Sequence, residues 1–450
     1  MKLEDRKDDV DTATGGDETH GPGLKDQQPH HSVGFWHPHM SKVRRHVILL
    51  WFRTVIILLV AILAILSLYW GVLFRVEANL RSIVVHVVDF DAKAAPYDGV
   101  EPFVGPAVVK LTQQLFESPT PSLGYTTIPA SEYANDPLQV REAVYRWDAW
   151  AAIVINPNAT FLLREAIETG NSSYDPTGAV QVVIQTARDS TTMQSDVLPY
   201  LQKFNEEFGA VFGPMWGQMI MSNESISRES LVKAPAALNP GVTPLIYDLR
   251  PFKPAAATPA VSIGLIYLII MAFFSFSFFL PIHMKYIQPQ GHPPLHFWQL
   301  IIWRWLATIA AYCLISLAYS VISLAFQIPF WTGPASHVYS PPPEGATAYV
   351  GQPWTALWLI FWVITNVSTS FYSLDLAPGF YKWGYAWPLH HVVEASRQLL
   401  FDLHSRIGLN RQAEKNKDRY VVNTEDGEKE IEKGRGEKPP IRKRGFMRGV

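Results

Sequence analysis

The apolar residues of this chain collect in four blocks, three of them close to the length of about 20 residues that a membrane-crossing helix needs and the third block long enough to be tilted or partly interfacial. The first runs from Thr54 to Phe74 without a charge and is bracketed by Arg53 and Arg75. Trp51, Tyr69 and Trp70 lie near its ends, where interfacial aromatics belong. It starts too far into the chain, and is too long, for a cleaved signal peptide, so it reads as a signal anchor. The second block runs from Ala260 to Leu280 and is ended by Pro281. The third, Trp298 to Ile328, is interrupted only by Arg304. The fourth, Trp354 to about Phe371, contains Asn366 and several hydroxyls but no charge.

Between the first two blocks the pattern changes to that of a globular domain. Arg81–Phe90, Ala151–Ile155 and Ala179–Thr186 are rich in β-branched residues and predict strands. Helical periodicity falls between them, at Val104–Phe116, Pro137–Trp147 and Thr160–Thr169, and a longer helix is predicted from Asp196 to Met221. Asp136-Pro137 has the form of a cap followed by a first-turn proline. Strands alternating with helices predict an α/β domain with a mixed sheet. Ala234–Pro259, rich in Pro and Ala, reads as a stalk leading to the second span.

Charge adds orientation. Lys42, Arg44 and Arg45 precede the first block, and the 281–297 loop carries Lys285 and three histidines with no acid. By the positive-inside rule both are expected in the cytosol. The segment 76–259 has 12 Lys/Arg against 20 Asp/Glu and holds three Asn-x-Ser/Thr sequons, at Asn158, Asn171 and Asn223. It is expected on the extracytosolic side, with these three as candidate glycosylation sites. The single cysteine, Cys313, lies inside the third block, so no intrachain disulfide can form. Of the 450 residues 48% are hydrophobic and only 17% charged, and a net charge of −2 gives no field that calls for nucleic acid.

Motifs for enzymatic chemistry are missing from the sequence. It has no Gly-rich phosphate loop, no His-Glu-x-x-His, no Cys cluster and no Gly-x-Ser-x-Gly elbow. No cofactor or metal is expected. The densest polar cluster follows the fourth block: Asp375, His390, His391, Glu394, Arg397, Asp402, His404 and Arg406. On a helix from His390 to Phe401, His391, Glu394 and Arg397 share a face. A metal or proton-relay role competes there with an amphipathic helix on the membrane surface, which would bury Val392, Val393, Leu399, Leu400 and Phe401 and leave the charges wet. Pro378, Gly379, Gly384 and Pro388 break the backbone just before it. Broken backbone at membrane depth is tolerated only where protein or a water-filled cavity lines it, which makes this a place to look for a pathway. Candidate pathway or interface residues are therefore Arg304, Asn366, Pro378, Gly379, Pro388, His391, Glu394 and Arg397. Arg304 also fits a residue that snorkels to the cytosolic interface. Residues 1–46 and 411–450 are polar and predict disordered tails. His30, His31, His37 and His39 have poor metal spacing, and the closing basic residues offer contacts to anionic lipid.

The run from Pro353 to Asn410, with Asn366-Val367-Ser368 and Pro378-Gly379-Phe380-Tyr381 as its most specific strings, resembles the fungal nitrosoguanidine-resistance membrane proteins. Phe297-Trp298-Gln299, Arg304-Trp305 and Tyr319-Ser320 belong to the same likeness, which covers roughly Val47 to Asn410. The resemblance implies one N-terminal span, a large outer domain, and a membrane block similar to ABC-transporter-type permeases and phage-infection-type proteins. It also implies a plasma-membrane location, a link to tolerance of toxic compounds and a link to lipid organisation, with no catalytic residue to carry over. The family pattern has six spans. Here a further span expected near Tyr349–Gly351 is replaced by a Pro-rich stretch (Pro341-Pro342-Pro343), and after Asn410 the chain turns into charged tail instead of a last span. Four spans place Tyr372–Asn410 in the cytosol, whereas the family places it outside.

The sequence thus predicts an α-helical integral membrane protein with a large α/β extracytosolic domain and an incomplete ABC-permease-like block. Its parts are a tail (1–46), a first span (47–75), the domain (76–259), spans at 260–281, 298–328 and 352–373, a Pro/Gly-broken segment with an amphipathic helix (374–410) and a tail (411–450). The expected function is a transporter-like, efflux-associated role in tolerance of toxic compounds. The alternative is a non-catalytic membrane organiser whose outer domain binds a lipid, a wall component or a partner. The expected partners are the lipid bilayer, a second copy or another membrane protein.

Overall fold

In the computed structural model the described residues are 35–286, 293, 295–328 and 354–404. The expectations for His30, His31 and for both tails beyond these bounds lie outside the described residues. The unit up to Val60 comprises a short turn at Pro38–Met40 and the start of the first span, α1 (Ser41–Val72). The second unit, from Ala61 onward, holds the rest.

Five strands form one mixed sheet in the order β2-β1-β3-β4-β5. They are β1 (Val84–Asp89), β2 (Gly124–Pro129), β3 (Ala151–Ile155), β4 (Val180–Ile184) and β5 (Leu245–Asp248). β1 pairs in parallel with both β2 and β3, β4 runs antiparallel to β3, and β5 is parallel to β4. Side chains alternate across the sheet with period two. Val85, Val87, Ile153, Ile155, Val182 and Ile184 enter one core, while Val88, Ala152, Val154 and Val183 enter the other. Both faces are covered, which is why β3 is apolar throughout.

Four helices of the domain provide that cover: α2 (Val104–Glu117), α3 (Pro137–Tyr145), α4 (Ala159–Thr169) and α5 (Leu198–Ser222). α2 joins β1 to β2 on one face and α3 joins β2 to β3 on the other. Right-handed crossovers demand this, because the second step moves back across β1. α5 buries Phe204, Phe208, Phe212, Trp216 and Ile220, a four-residue stripe that gives the larger core its aromatic spine.

The predicted strands and helices are present with ends shifted by a few residues. Two strands escaped the sequence reading. β2 (GYTTIP) is short and half polar, and β5 (LIYD) sits within the Pro/Ala-rich stretch expected to be only a stalk. As an edge strand, β5 is bonded on one side only and has an exposed or half-buried face, so little hydrophobic patterning marks it.

The other apolar blocks form α6 (Ile263–Met284), α7 (Phe297–Ala325) and α8 (Trp354–Ser370). α6 continues through Pro281, which was expected to end it. It starts beside the domain: Ala260 and Val261 just before it cluster with Ala187, and Leu265 in its first turn packs with Leu389 and Val393. α7 returns along it. Trp303 Nε1 donates to His283 Nδ1 (3.2 Å) at the far end, Tyr312 Oη donates to Ala272 O (3.1 Å) halfway, and Tyr319 Oη donates to Pro259 O (3.1 Å) at the domain end. Ile328, just past α7, joins a cluster with Ala187 and Ala257 of the domain. α8 also ends at the domain: Val367 and Phe371 pack in the cluster of Leu265 and Tyr319, and Tyr372 Oη donates to Asp196 Oδ2 (2.6 Å). α7 and α8 therefore run in the same direction, although they follow one another among the described residues.

Candidate functional site

The carboxyl ends of β1 and β3 are the first place to search for a site, because the chain reverses its winding direction there. Open α/β sheets bind ligands in that crevice. Here Asp91, fully buried, fills it. Its Oδ1 accepts from Thr160 N (2.9 Å) and its Oδ2 from Gly105 N (3.0 Å), so one carboxylate caps the starts of α4 and α2 together. Thr160 Oγ1 donates to Asp91 and accepts from Phe103 N (2.9 Å) and Val104 N (3.0 Å). Gly105 is obligatory: a Cβ there would collide with the Asp89 carboxylate. The crevice is a structural double cap.

The second polar concentration is the junction between the domain and the segment after α8. The chain leaves α8 at Ser370, forms a 3-10 segment at Gly379–Ala386, and enters α9 (Pro388–Phe401). α9 lies between two surfaces. Leu389 and Val393 face the spans, and Leu400 and Phe401 face Ala257, Ala260 and Val261 just before α6. Arg397, 5% exposed, reaches the domain: its Nη2 lies 3.4 Å from Asp189 Oδ1 and its Nη1 donates to Arg188 O (3.2 Å). Arg188 in turn lies 3.7 Å above the Trp150 ring and donates to Ala149 O (2.9 Å). Trp150 Nε1 donates to Asp375 Oδ2 (3.1 Å), which closes the path back to the C-terminal segment. Asn79 Nδ2 to Leu376 O (2.9 Å) and Ser82 Oγ to Asp375 O add further ties. Arg250 pairs with Asp402 at 3.1 Å on the rim.

This arrangement corrects the expectation of an amphipathic helix with wet charges. The buried residues of α9 are Leu389, His390, Val393, Arg397, Leu400 and Phe401. His390 Nδ1 lies 3.1 Å from Thr369 O, and its Nε2 faces Glu394 Oε1 at 3.5 Å. Burial holds the His390 imidazole below its ordinary pKa, and the Glu394 carboxylate opposes that shift. His391, expected on the working face with Glu394, is instead exposed and bonded to Tyr385 O (2.8 Å). Burial pushes the Asp196 carboxyl up, the Tyr372 hydroxyl opposes this, and the Asp189 charge adds to it.

The broken backbone is filled by its own side chains. Asn366, 1% exposed, spends its amide on Trp362 O (2.8 Å) and accepts from Leu389 N (3.2 Å), which ties α8 to α9. Pro388 opens α9, and Pro378 precedes the 3-10 segment, with its carbonyl accepting from Tyr381 N (2.9 Å). Gly379 is exposed. A Cβ on Gly384 would meet Thr369, so the glycine permits that close packing. Arg304 stands apart, half-buried near the end of α7 remote from the domain. Among the described residues no group of three or more His, Cys, Asp or Glu is placed to hold a metal. The sequon residues differ: Asn171 is exposed, Asn223 is half-buried with its Oδ1 bonded to Ser225, and the Thr160 hydroxyl of the Asn158 sequon is buried in the double cap. Sequence reasoning missed Asp189, Arg188, Trp150 and Asp196, whose roles come from contacts across more than 170 residues of chain (Asp196 with Tyr372, |i−j| = 176).

Among known proteins, the chain is 24% identical over 425 residues to a protein of Saccharomyces cerevisiae named as an uncharacterized endoplasmic reticulum membrane protein, covering 86% of this chain and 80% of that protein. No solved structure matches it. Among the described residues three helices are long and apolar enough to cross a membrane, α1, α6 and α7, and α8 is a shorter apolar helix. The family model described as "Protein of unknown function (DUF3533)" matches residues 54–339 and 344–412, which takes in the first span, the sheet domain and the junction helix. This membrane protein with a mixed-sheet domain belongs to the DUF3533 family.

Proposed function

We propose that the protein is a non-catalytic membrane organiser of the nitrosoguanidine-resistance type, which supports tolerance of toxic compounds by acting on lipid distribution or on a partner. The observation that carries this reading is the sealed junction. Asn366 and Arg397, two of the candidate pathway residues, and Gly384 of the broken backbone are consumed in packing α8, α9 and the domain together. A transport route would need polar groups turned toward a passage, whereas these are turned toward protein. The junction also packs α6 and α8 with the domain through α9, which suits a scaffold.

In this reading the domain faces away from the cytosol, as the basic residues before α1 and the acidic balance of the domain favour. The named location of the yeast relative favours the endoplasmic reticulum over the plasma membrane. Asn171 is the sequon best placed for a glycan.

The test uses cells lacking the gene, rescued with the intact chain or with Arg397→Ala. Rescue of tolerance together with a change in surface-exposed aminophospholipid, at an unchanged rate of export of a fluorescent toxic compound, is the expected result. Saturable export that appears only with the intact chain would overturn the organiser reading and establish efflux.

A further inference from the structure

The 3-10 segment Gly379–Ala386 (GFYKWGYA) is long for its class, and its three-residue period sorts its side chains into rows. One row, Tyr381 and Gly384 followed by Trp387, turns inward: Tyr381 and Gly384 are buried, and Trp387 Nε1 donates to Thr365 Oγ1 (2.9 Å). Trp383 packs partly against the cluster of Val72 and Tyr381, and the remaining side chains turn out. Phe380 is 68% exposed, and Lys382 and Tyr385 are exposed beside it.

The place of the segment gives these exposures meaning. Tyr381 Oη donates to Leu68 O (2.7 Å), and Val72 packs in one cluster with Leu374, Ala377 and Tyr381. A Cβ on Gly71 would run into the Tyr381 hydroxyl, so that glycine admits the contact. The segment thus lies against the last turns of α1, just before Arg75, where the span ends. That end of α1 is itself aromatic, basic and uncovered: Trp70 is 66% and Phe74 60% exposed, and the Arg75 guanidinium lies 5.0 Å above the Phe74 ring. In water such a row of uncovered rings would be costly, but at the boundary between headgroups and acyl chains Trp, Tyr, Phe, Lys and Arg are all favoured.

We propose that Gly379–Ala386 lies in the plane of the bilayer surface on the domain side and, with Trp70, Phe74 and Arg75, forms a lipid-headgroup contact that fixes the height of the junction. The occupant is the lipid surface because the patch is continuous with a helix already in lipid and carries Lys382 and Arg75 at its polar edge. The charges suit phosphate groups, and the rings suit the upper acyl region.

The full-length chain carrying Cys313→Ala would be labelled with an environment-sensitive fluorophore at Phe380→Cys, or at Met221→Cys on the domain, where Met221 is 89% exposed. Both would be reconstituted in phosphatidylcholine vesicles. The expected result is several-fold stronger quenching of the Phe380 label by a nitroxide lipid spin-labelled near the headgroup than by one labelled near the chain terminus. Iodide should quench it little, while the Met221 label shows the reverse. Equal iodide quenching of both sites, without lipid quenching, would overturn the proposal. A Phe380 label shielded from iodide and from lipid alike would also overturn it, assigning the patch to a protein partner or a second copy. Lys382→Cys repeats the measurement should Phe380→Cys fail to fold.

Discussion

At the scale of single residues, buried charge and buried imidazole set the largest expected effects. Arg397 and Asp189 have side chains 7% exposed each, so removing one leaves the other uncompensated in a low-dielectric setting. Arg397→Ala is expected to destabilise the junction by about 3–5 kcal/mol, the usual cost of breaking a buried pair. Asp189→Leu combined with Arg397→Met should recover much of that loss, since apolar replacement of both partners is often neutral. Thermal unfolding of the solubilised full-length chain checks both variants. His86 gives a pH signature. Burial lowers its pKa from 6.5 to about 4, and Tyr133 Oη lies 2.7 Å from its Nδ1. The unfolded chain therefore binds a proton that the folded domain refuses, so stability rises with pH through this window and falls on acidification. The full effect, reached below about pH 4, is about 3 kcal/mol. His86→Gln, which keeps an acceptor for Tyr133, should flatten stability between pH 6.5 and 4. A profile as steep as that of the unaltered chain would refute the assignment.

At the scale of elements, the double cap at Asp91 holds α2 and α4 at the ends of β1 and β3. Asp91→Ala leaves the backbone amides of Gly105 and Thr160 without their acceptor and the Thr160 hydroxyl without its carboxylate. Each lost cap is worth about 1 kcal/mol, so a loss of about 2–3 kcal/mol is expected with the sheet otherwise intact. Urea unfolding with an unchanged m-value would confirm a stability effect alone. Legibility also differs by element. β1, β3 and β4 announced themselves because strands covered on both faces must be apolar on both faces. β2 and β5 did not, because an edge strand draws its stability from one row of hydrogen bonds and needs less apolar surface. α9 was legible as a helix that buries Val393, Leu400 and Phe401, and the burial of His390 and Arg397 was not. Periodicity reports which residues share a face, and Arg397 and Val393 do share one. It does not report that the opposing surface carries Asp189.

At the scale of the whole molecule, direction is the telling feature. Among the described helices α1, α7 and α8 end at the domain and α6 leaves it. α7 and α8 run in the same direction, and residues 329–353 of the sequence separate them. That is the interval where the resemblance implies a further span, and the sequence there offers Pro341-Pro342-Pro343 in place of a run of about 20 apolar residues. Four alternating spans would leave Tyr372–His404 on the side opposite the domain, whereas Tyr372, Asp375, Arg397 and Asp402 all bond to it. A reporter sequon placed after His404 is accordingly expected to be glycosylated whenever the domain sequons are. Modification of Asn171 with none after His404 would place the two on opposite sides and refute the packed junction.

The sequence alone determined that this chain enters a membrane and carries a folded α/β domain between its first two spans. Both follow from local statistics: runs of apolar residues match the thickness of a bilayer, and period-two and period-3.6 patterns match strands and helices. Which polar residues work together was decided only by tertiary structure. Asp189 and Arg397 meet across 208 residues of chain, and Asn79 meets Leu376 across 297. Pairing at that range is set by how the sheet, the spans and α9 pack as solids, and no periodicity along the chain encodes it.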